Sequence, residues 1–359
     1  MNVDKRYSTI LFIGGLTGIL HSLVIEAGIK PLALYVVGET QSRKTTLVRE
    51  CTRMYNRSDI ASSTETARVS STKLVLEKMI DELSDATFIL DDMYREKDAG
   101  TRKDYEGHIR NIIRNLADDS PRNTQRSSYR VNSQVIITGE YLLDNRTDIG
   151  RCFIIHIDNP ISGKRLNEIQ KNPLILPTFY RNFIKYICRY YYETEDFIKS
   201  SFREFRINNE LCQVKYKRIQ EERFLLICIL KIFCNYAVYV GELDKNSASI
   251  MIQEVKEQID NAVKFQEEIM RNLEIKEQKN INLSLLLLKC IGNNDIKTGE
   301  KNSGCFKKGK HIFIRCEILV ISLYNCYGLE YSAIKISKYF ANKGISYTYN
   351  NRNVVKIRE

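Results

Sequence analysis

LYVVGETQSRKTTLV, residues 34–48, decides how the chain is read. An apolar strand, LALYVV over 32–37, stops abruptly at Gly38, and a lysine and two threonines follow at 44, 45 and 46. That order is what a phosphate-binding loop requires: backbone amides free to face oxygens, a lysine for the β- and γ-phosphates, and a hydroxyl for magnesium. Gly38, Glu39, Thr40, Gln41, Ser42, Arg43, Lys44, Thr45 and Thr46 are therefore the candidate nucleotide-binding residues. The position before the lysine is usually glycine, because the backbone there lies close to the nucleotide. Arg43 fits only with ordinary dihedrals and a side chain directed out of the cradle, toward Glu39, a neighbouring subunit or DNA. The competing reading is a chance strand, turn and helix that happens to carry a lysine.

Forty-odd residues on, ATFILDD (86–92) is a second apolar strand, and it delivers Asp91 and Asp92 at its C-terminal end. Parallel sheets gather their chemistry at that end. Asp91 is assigned to the metal and Asp92 to the attacking water of an in-line displacement; two aspartates capping a following helix is the alternative. A third strand, SQVIITGE (133–140), places Thr138 and Glu140 where a polar group reaches between γ-phosphate and water. Arg151 stands just before a fourth strand in DIGRCFIIHID (148–158). Either it stabilises transition-state charge, often across a subunit boundary, or it makes a surface ion pair.

Short apolar strands alternating with helices over residues 1–165 predict an α/β fold, a parallel sheet covered on both faces. Residues 166–280 turn to long helical runs, with FLLICILKIFCNYAVYV (224–240) as the central helix. Residues 281–359 read as a helix (INLSLLLLKCI), a Gly/Asn/Lys-rich loop to Gly309, a strand HIFIRC, two helices over 317–325 and 331–342, and a hairpin turning at Asn350-Asn351. That is the sequence shape of a winged helix.

The chain has 359 residues, 43% of them apolar, enough for two or three cores. Of its net charge of +11, most lies in the last segment, where 13 basic residues face 5 acidic ones. Lys335, Lys338, Lys343, Arg352, Lys356 and Arg358 fall on the winged-helix parts and are the candidate DNA contacts; a solvated basic face is the plainer reading. Tyr190-Tyr191-Tyr192 invites stacking on single strands, but three consecutive helix positions cannot share a face, so core and surface tyrosines are expected. Ten scattered cysteines without a C-x-x-C pair, beside four histidines, suggest neither a zinc site nor a haem. They imply buried thiols and a reducing, cytoplasmic setting. No signal peptide or membrane span is expected.

GETQSRKTTL, FILDDMY, IIRNLADDSPRNTQR, VIITGE and GRCFIIHID, in this order, resemble the P-loop ATPases of phages, plasmids and integrated elements, which are related to superfamily 3 and AAA+ helicases. The resemblance covers roughly residues 8–160, with a weaker echo over 281–359. It implies ATP and Mg2+ as ligands, with Lys44 and Thr45 on the phosphates and magnesium. It makes Asp91 and Asp92 the Walker B pair, Thr138 the sensor, and Arg114, Arg122 and Arg151 arginines reaching nucleotide across a subunit interface. It further implies a ring, six copies being the expected number, acting on DNA beside a separate primase or initiator. Thr138 departs from the Asn often found at the sensor in superfamily 3, and no primase domain precedes the ATPase segment. A nucleotide-switched DNA-binding protein with little hydrolysis is the second reading. A phosphotransferase is the third, and the Thr-Gly-Glu strand is foreign to kinases.

Overall fold

The computed structural model of the chain describes residues 4–54, 65–94, 96, 98–118, 122–123, 128–210, 215–292, 299, 305–308, 310–327, 332–342, 345–349 and 352–358. The chain divides into two compact units at 273/274.

In the first unit, α1 (Lys5–Ile19) and α2 (His21–Glu26) lead into β1 (Ala33–Gly38). There follow α3 (Lys44–Thr52), β2 (Thr66–Arg68), α4 (Lys73–Asp81), β3 (Ser84–Met93) and α5 (Ala99–Ala117). A two-stranded ribbon, β4 (Arg122–Asn123) with β5 (Ser128–Tyr129), precedes β6 (Asn132–Gly139), α6 (Arg146–Ile149) and β7 (Cys152–Ile157). Helices α7 (Gly163–Gln170), α8 (Ile175–Arg189), α9 (Tyr191–Glu210) and α10 (Lys217–Tyr239) come next, and α11 (Lys245–Gly292) runs through the division between the units.

Strands β2-β3-β6-β1-β7 form one parallel sheet, in that order. Each residue of β1 is buried, as a strand covered on both faces must be. The apolar run from Ile10, whose glycines look like breaks in the sequence, is largely the buried helix α1, and the glycines are its points of approach. A Cβ on Gly18 would lie 2.7 Å from the Ala86 carbonyl of β3. The helices of 166–273 share this core, with Phe12 of α1 against Phe179 of α8 and Phe233 of α10 at centroid distances of 5.2 and 5.4 Å. Gln266 of α11, wholly buried, accepts from Ile154 N–H at 3.1 Å and donates to the Cys152 carbonyl, along the outer side of β7.

Glu65, just before β2, is half-buried, and desolvation pushes its carboxyl up to about 7 from 4.5. A carboxyl raised in the folded state holds its proton there while the unfolded chain has released it. Stability therefore falls as pH rises from 4.5 through 7, by up to about 3 kcal/mol, and less to the extent that water screens the charge. Glu65→Gln is expected to raise the thermal midpoint at about pH 8 and to flatten its dependence on pH over that window.

The second unit carries β8 (Cys305–Lys308), β9 (His311–Arg315), α12 (Cys316–Tyr327), α13 (Ala333–Asn342), β10 (Ser346–Tyr349) and β11 (Arg352–Arg358). Its antiparallel sheet has the order β10-β11-β9-β8. Ile312, Ile314, Leu319, Leu323, Ile336, Phe340 and Val355 form its core. The expected hairpin is present, with Tyr349 opposite Arg352. The loop expected up to Gly309 is in part a strand, because Cys305 and Phe306 bury themselves against β9.

Candidate active site

Strand β6 lies between β1 and β3, in register with both: Val36 is level with Thr138, and Leu90 with Ile137. The C-terminal ends of the three strands thus present the loop after Gly38, the Asp91-Asp92 pair and Thr138 side by side. Gly38 is demanded by close approach, since a Cβ there would meet the Ile157 carbonyl of β7 at 2.7 Å.

Thr40, Gln41, Arg43, Lys44, Thr45, Thr46, Asp91, Asp92, Met93, Thr138, Gly139 and Glu140 line a cavity of about 240 Å3. Lys44 is nearly buried, and its ammonium donates to the carbonyls of Gly38 (2.8 Å) and Glu39 (2.6 Å), with Ser42 Oγ at 3.3 Å. Burial pulls its pKa down, while Glu140, Asp91 and Asp92 act against that shift. Thr45 Oγ1 donates to Asp91 Oδ1 at 2.7 Å, and Thr138 Oγ1 donates to the same oxygen. Arg49 reaches Asp91 Oδ2 at 3.5 Å. An anionic oxygen flanked by two hydroxyls beside a lysine is an all-oxygen donor set suited to magnesium, so these residues fit the metal and a phosphate chain.

Asp92 has φ of 73°, at a register shift between Leu90 and Met93. A non-glycine residue held there stores about 1–3 kcal/mol of strain, a feature of functional sites. The kink leaves the Asp92 side chain exposed while its N–H meets Thr138 Oγ1 at 3.4 Å. Thr40 donates to Glu140 Oε1, tying the loop to the end of β6.

Two expectations about Arg43 are corrected. Its dihedrals are left-handed, φ 64° and ψ 28°, as is the φ of Gln41 at 64°. Its guanidinium does leave the cradle, but it bonds the Ile161 carbonyl at 2.6 Å rather than Glu39. The turn into α3 needs this backbone, and an arginine adopts it where a partner offsets the strain.

Arg114 and Arg151 are not brought to this cavity. Arg114 pairs with the fully buried Asp148 at 2.9 Å, which Arg110 also reaches at 3.2 Å. Arg151 stands 3.4 Å from Asp118, before Cys152, which is level with Ala33 at the other end of β1 from Gly38. Arg151 therefore lies away from the phosphate loop of its own chain. The Arg122 backbone is in β4, and its side chain lies outside the described residues. Arg49 joins the site without having stood out in the sequence; its signal there is the i+4 spacing from Thr45, which sets both on one helix face.

In the second unit Lys338 is exposed on α13, and Lys356 of β11 is half-buried, its ammonium 6.0 Å from the Phe313 ring centre. Lys343 and the side chains of Lys335, Arg352 and Arg358 lie outside the described residues. The tyrosines are not three consecutive helix positions, because Tyr190 lies between α8 and α9; it is half-buried against Tyr186 and Tyr239, whereas Tyr191 and Tyr192 are exposed, so none joins the core. A larger cavity, about 680 Å3, is walled by apolar side chains including Phe12, Phe179 and Phe233 together with polar ones such as Lys5, Glu50 and Glu168, and none of the predicted site residues lines it.

No family model matches the sequence, and no curated protein matches it. Among solved structures, one described as SCCmec type IV Cch, an active helicase, superposes with a TM-score of 0.53 at 13% identity. The match covers 98% of this chain and 66% of that one. The chain shares the fold of that structure, a parallel five-stranded sheet covered by helices. It spans about two thirds of the length of that helicase. The JCV helicase structure gives a TM-score of 0.27 at 12% identity, over 71% of this chain and 65% of that one, too low to bear on the fold. Among the described residues no helix is long and apolar enough to cross a membrane.

Proposed function

We propose that the chain is an ATP-hydrolysing, helicase-like motor or remodeller of DNA, serving replication or mobilisation of a phage, plasmid or integrated element. The observation that carries this reading is Asp91 Oδ1 shared by Thr45 and Thr138 beside Lys44, at the C-terminal edge of a helicase-like sheet.

Lys44 and the loop amides of 39–45 take the β- and γ-phosphates. Thr45 and Asp91 hold magnesium, which when bound offsets the charge of the phosphate oxygens. The exposed carboxylate of Asp92, re-aimed by its kinked backbone, orients the attacking water. Thr138 fixes the Asp91 carboxylate through one hydrogen bond and accepts the Asp92 backbone N–H in another, so it links the metal-binding candidate to the backbone that aims Asp92. Arg151 and Arg114, with Arg122, serve a neighbouring copy in a ring, for which six is the expected number. The second unit acts as a winged helix whose basic residues meet duplex phosphates, giving affinity that falls with salt and little sequence preference.

One observation favours the nucleotide-switch reading. The Lys44 ammonium bonds two carbonyls and a hydroxyl of its own loop, and phosphate must displace those partners before it binds.

Steady-state ATP hydrolysis with and without single-stranded or duplex DNA separates the two, with Asp92→Asn as control. A motor shows turnover stimulated by DNA and lost in Asp92→Asn, together with a ring in the presence of magnesium and an ATP analogue. Equal background hydrolysis by wild type and variant, from a monomer or dimer, overturns the motor and leaves the switch.

A further inference from the structure

The residue before the lysine is an arginine in left-handed backbone, which glycine adopts without penalty. What the arginine adds is visible on its far side. Arg43 Nη1 donates to the Ile161 carbonyl at 2.6 Å, and Ile161 N–H returns a bond to the Ser42 carbonyl at 3.2 Å. Gly163, the first residue of α7, leaves just the room required, since a Cβ there would sit 3.3 Å from Arg43 Cζ. At the other end of α7, Gln170 Nε2 donates to the buried Glu50 Oε1 of α3 at 3.1 Å. The segment that leads into α7 is thus tied to the phosphate loop through Ile161, and the end of α7 is tied to the helix of that loop.

We propose that Arg43 is a positioning residue that fastens the phosphate loop to the segment leading into α7, holding Lys44 and the loop amides in the arrangement that binds nucleotide. The proposal rests on the nucleotide-binding reading above. It gives the arginine a task that glycine cannot perform. It also gives Gly163 a reason to lack a side chain.

Arg43→Gly separates shape from task, because it relieves the backbone and removes the clamp together. The test uses the full chain and two readouts: binding of a fluorescent ATP analogue with magnesium, and the thermal midpoint without nucleotide. Arg43→Gly is expected to keep or raise the midpoint while weakening binding about tenfold, the loss of one charge-assisted hydrogen bond. Arg43→Lys, which retains a donor, recovers most of the affinity. Gly163→Val, which crowds the guanidinium without touching the loop, reproduces the weakening. Binding by Arg43→Gly at wild-type strength overturns the proposal, as does a parallel fall of midpoint and affinity, which marks a merely structural arginine. Failure of the wild type to bind the analogue instead removes the nucleotide reading, and the clamp with it.

Discussion

Asp91→Asn is expected to lower ATP turnover by at least about a hundred- to a thousandfold, the scale on which removing one preorganised charge-stabilising group acts, with the dependence on magnesium lost over the same range. The substitution preserves shape. The amide oxygen that replaces Oδ1 of Asp91 still accepts from Thr45 and Thr138, so the sheet edge keeps its hydroxyl bonds. What changes is charge, together with the group facing Arg49: a carboxylate oxygen 3.5 Å from a guanidinium becomes an amide donor. On the proposed reading the site would lose its anionic ligand for magnesium, and Arg49 loses its counterion, while the thermal midpoint moves little because the pair with Arg49 is half exposed. Titration of turnover against Mg2+ checks this. Activity within a few-fold of wild type would mean that Asp91 orders the loop and does not serve the metal.

Lys44→Ala is expected to cost a similar factor in turnover, and to weaken nucleotide binding as well. On the proposed reading the lysine would contribute charge in the ground state and in the transition state, whereas the carboxylate of Asp91 would weigh more on the latter. A second consequence separates the two variants. Lys44 is nearly buried and bonded to two carbonyls, and its truncation to alanine leaves the carbonyls of Gly38 and Glu39 without that donor. Glu39 is exposed but the Gly38 carbonyl is buried, and leaving one buried acceptor unpaired costs about 1–3 kcal/mol, so the nucleotide-free midpoint falls for Lys44→Ala and holds for Asp91→Asn. Isothermal binding of ATP with magnesium, beside thermal melts, reads both effects. Unchanged affinity in Lys44→Ala sinks the assignment of the loop to phosphate.

The strands that carry the site are legible in the sequence because each is a short apolar run ended by chemistry: Gly38, Asp91-Asp92 and Thr138. Their order across the sheet is not legible. Nothing local tells β3 to lie beside β6 rather than β1; that follows from where the crossover helices pack. Helix α1 is hidden because glycine disfavours helices in isolation, a preference overridden here by the close approach to β3 that only glycine permits. Strand β8 is hidden for the opposite reason, since a four-residue strand among lysines carries too little periodicity and exists through its pairing with β9. The left-handed dihedrals of Arg43 and Asp92 lie beyond any pattern in residue type, because bulky and charged residues adopt them only where surrounding structure imposes them.

Gln266 has a consequence for how copies of this chain meet. A strand at the end of a sheet ordinarily offers its outward amides and carbonyls to the strand of another molecule. On β7 the side-chain amide of Gln266 stands in for that visitor, taking Ile154 N–H and the Cys152 carbonyl from within the same chain. At the opposite end of the sheet β2 has only three residues, too short a template to recruit a neighbour. Among the described residues, each flank of the sheet is thus a poor template for the strand of another molecule.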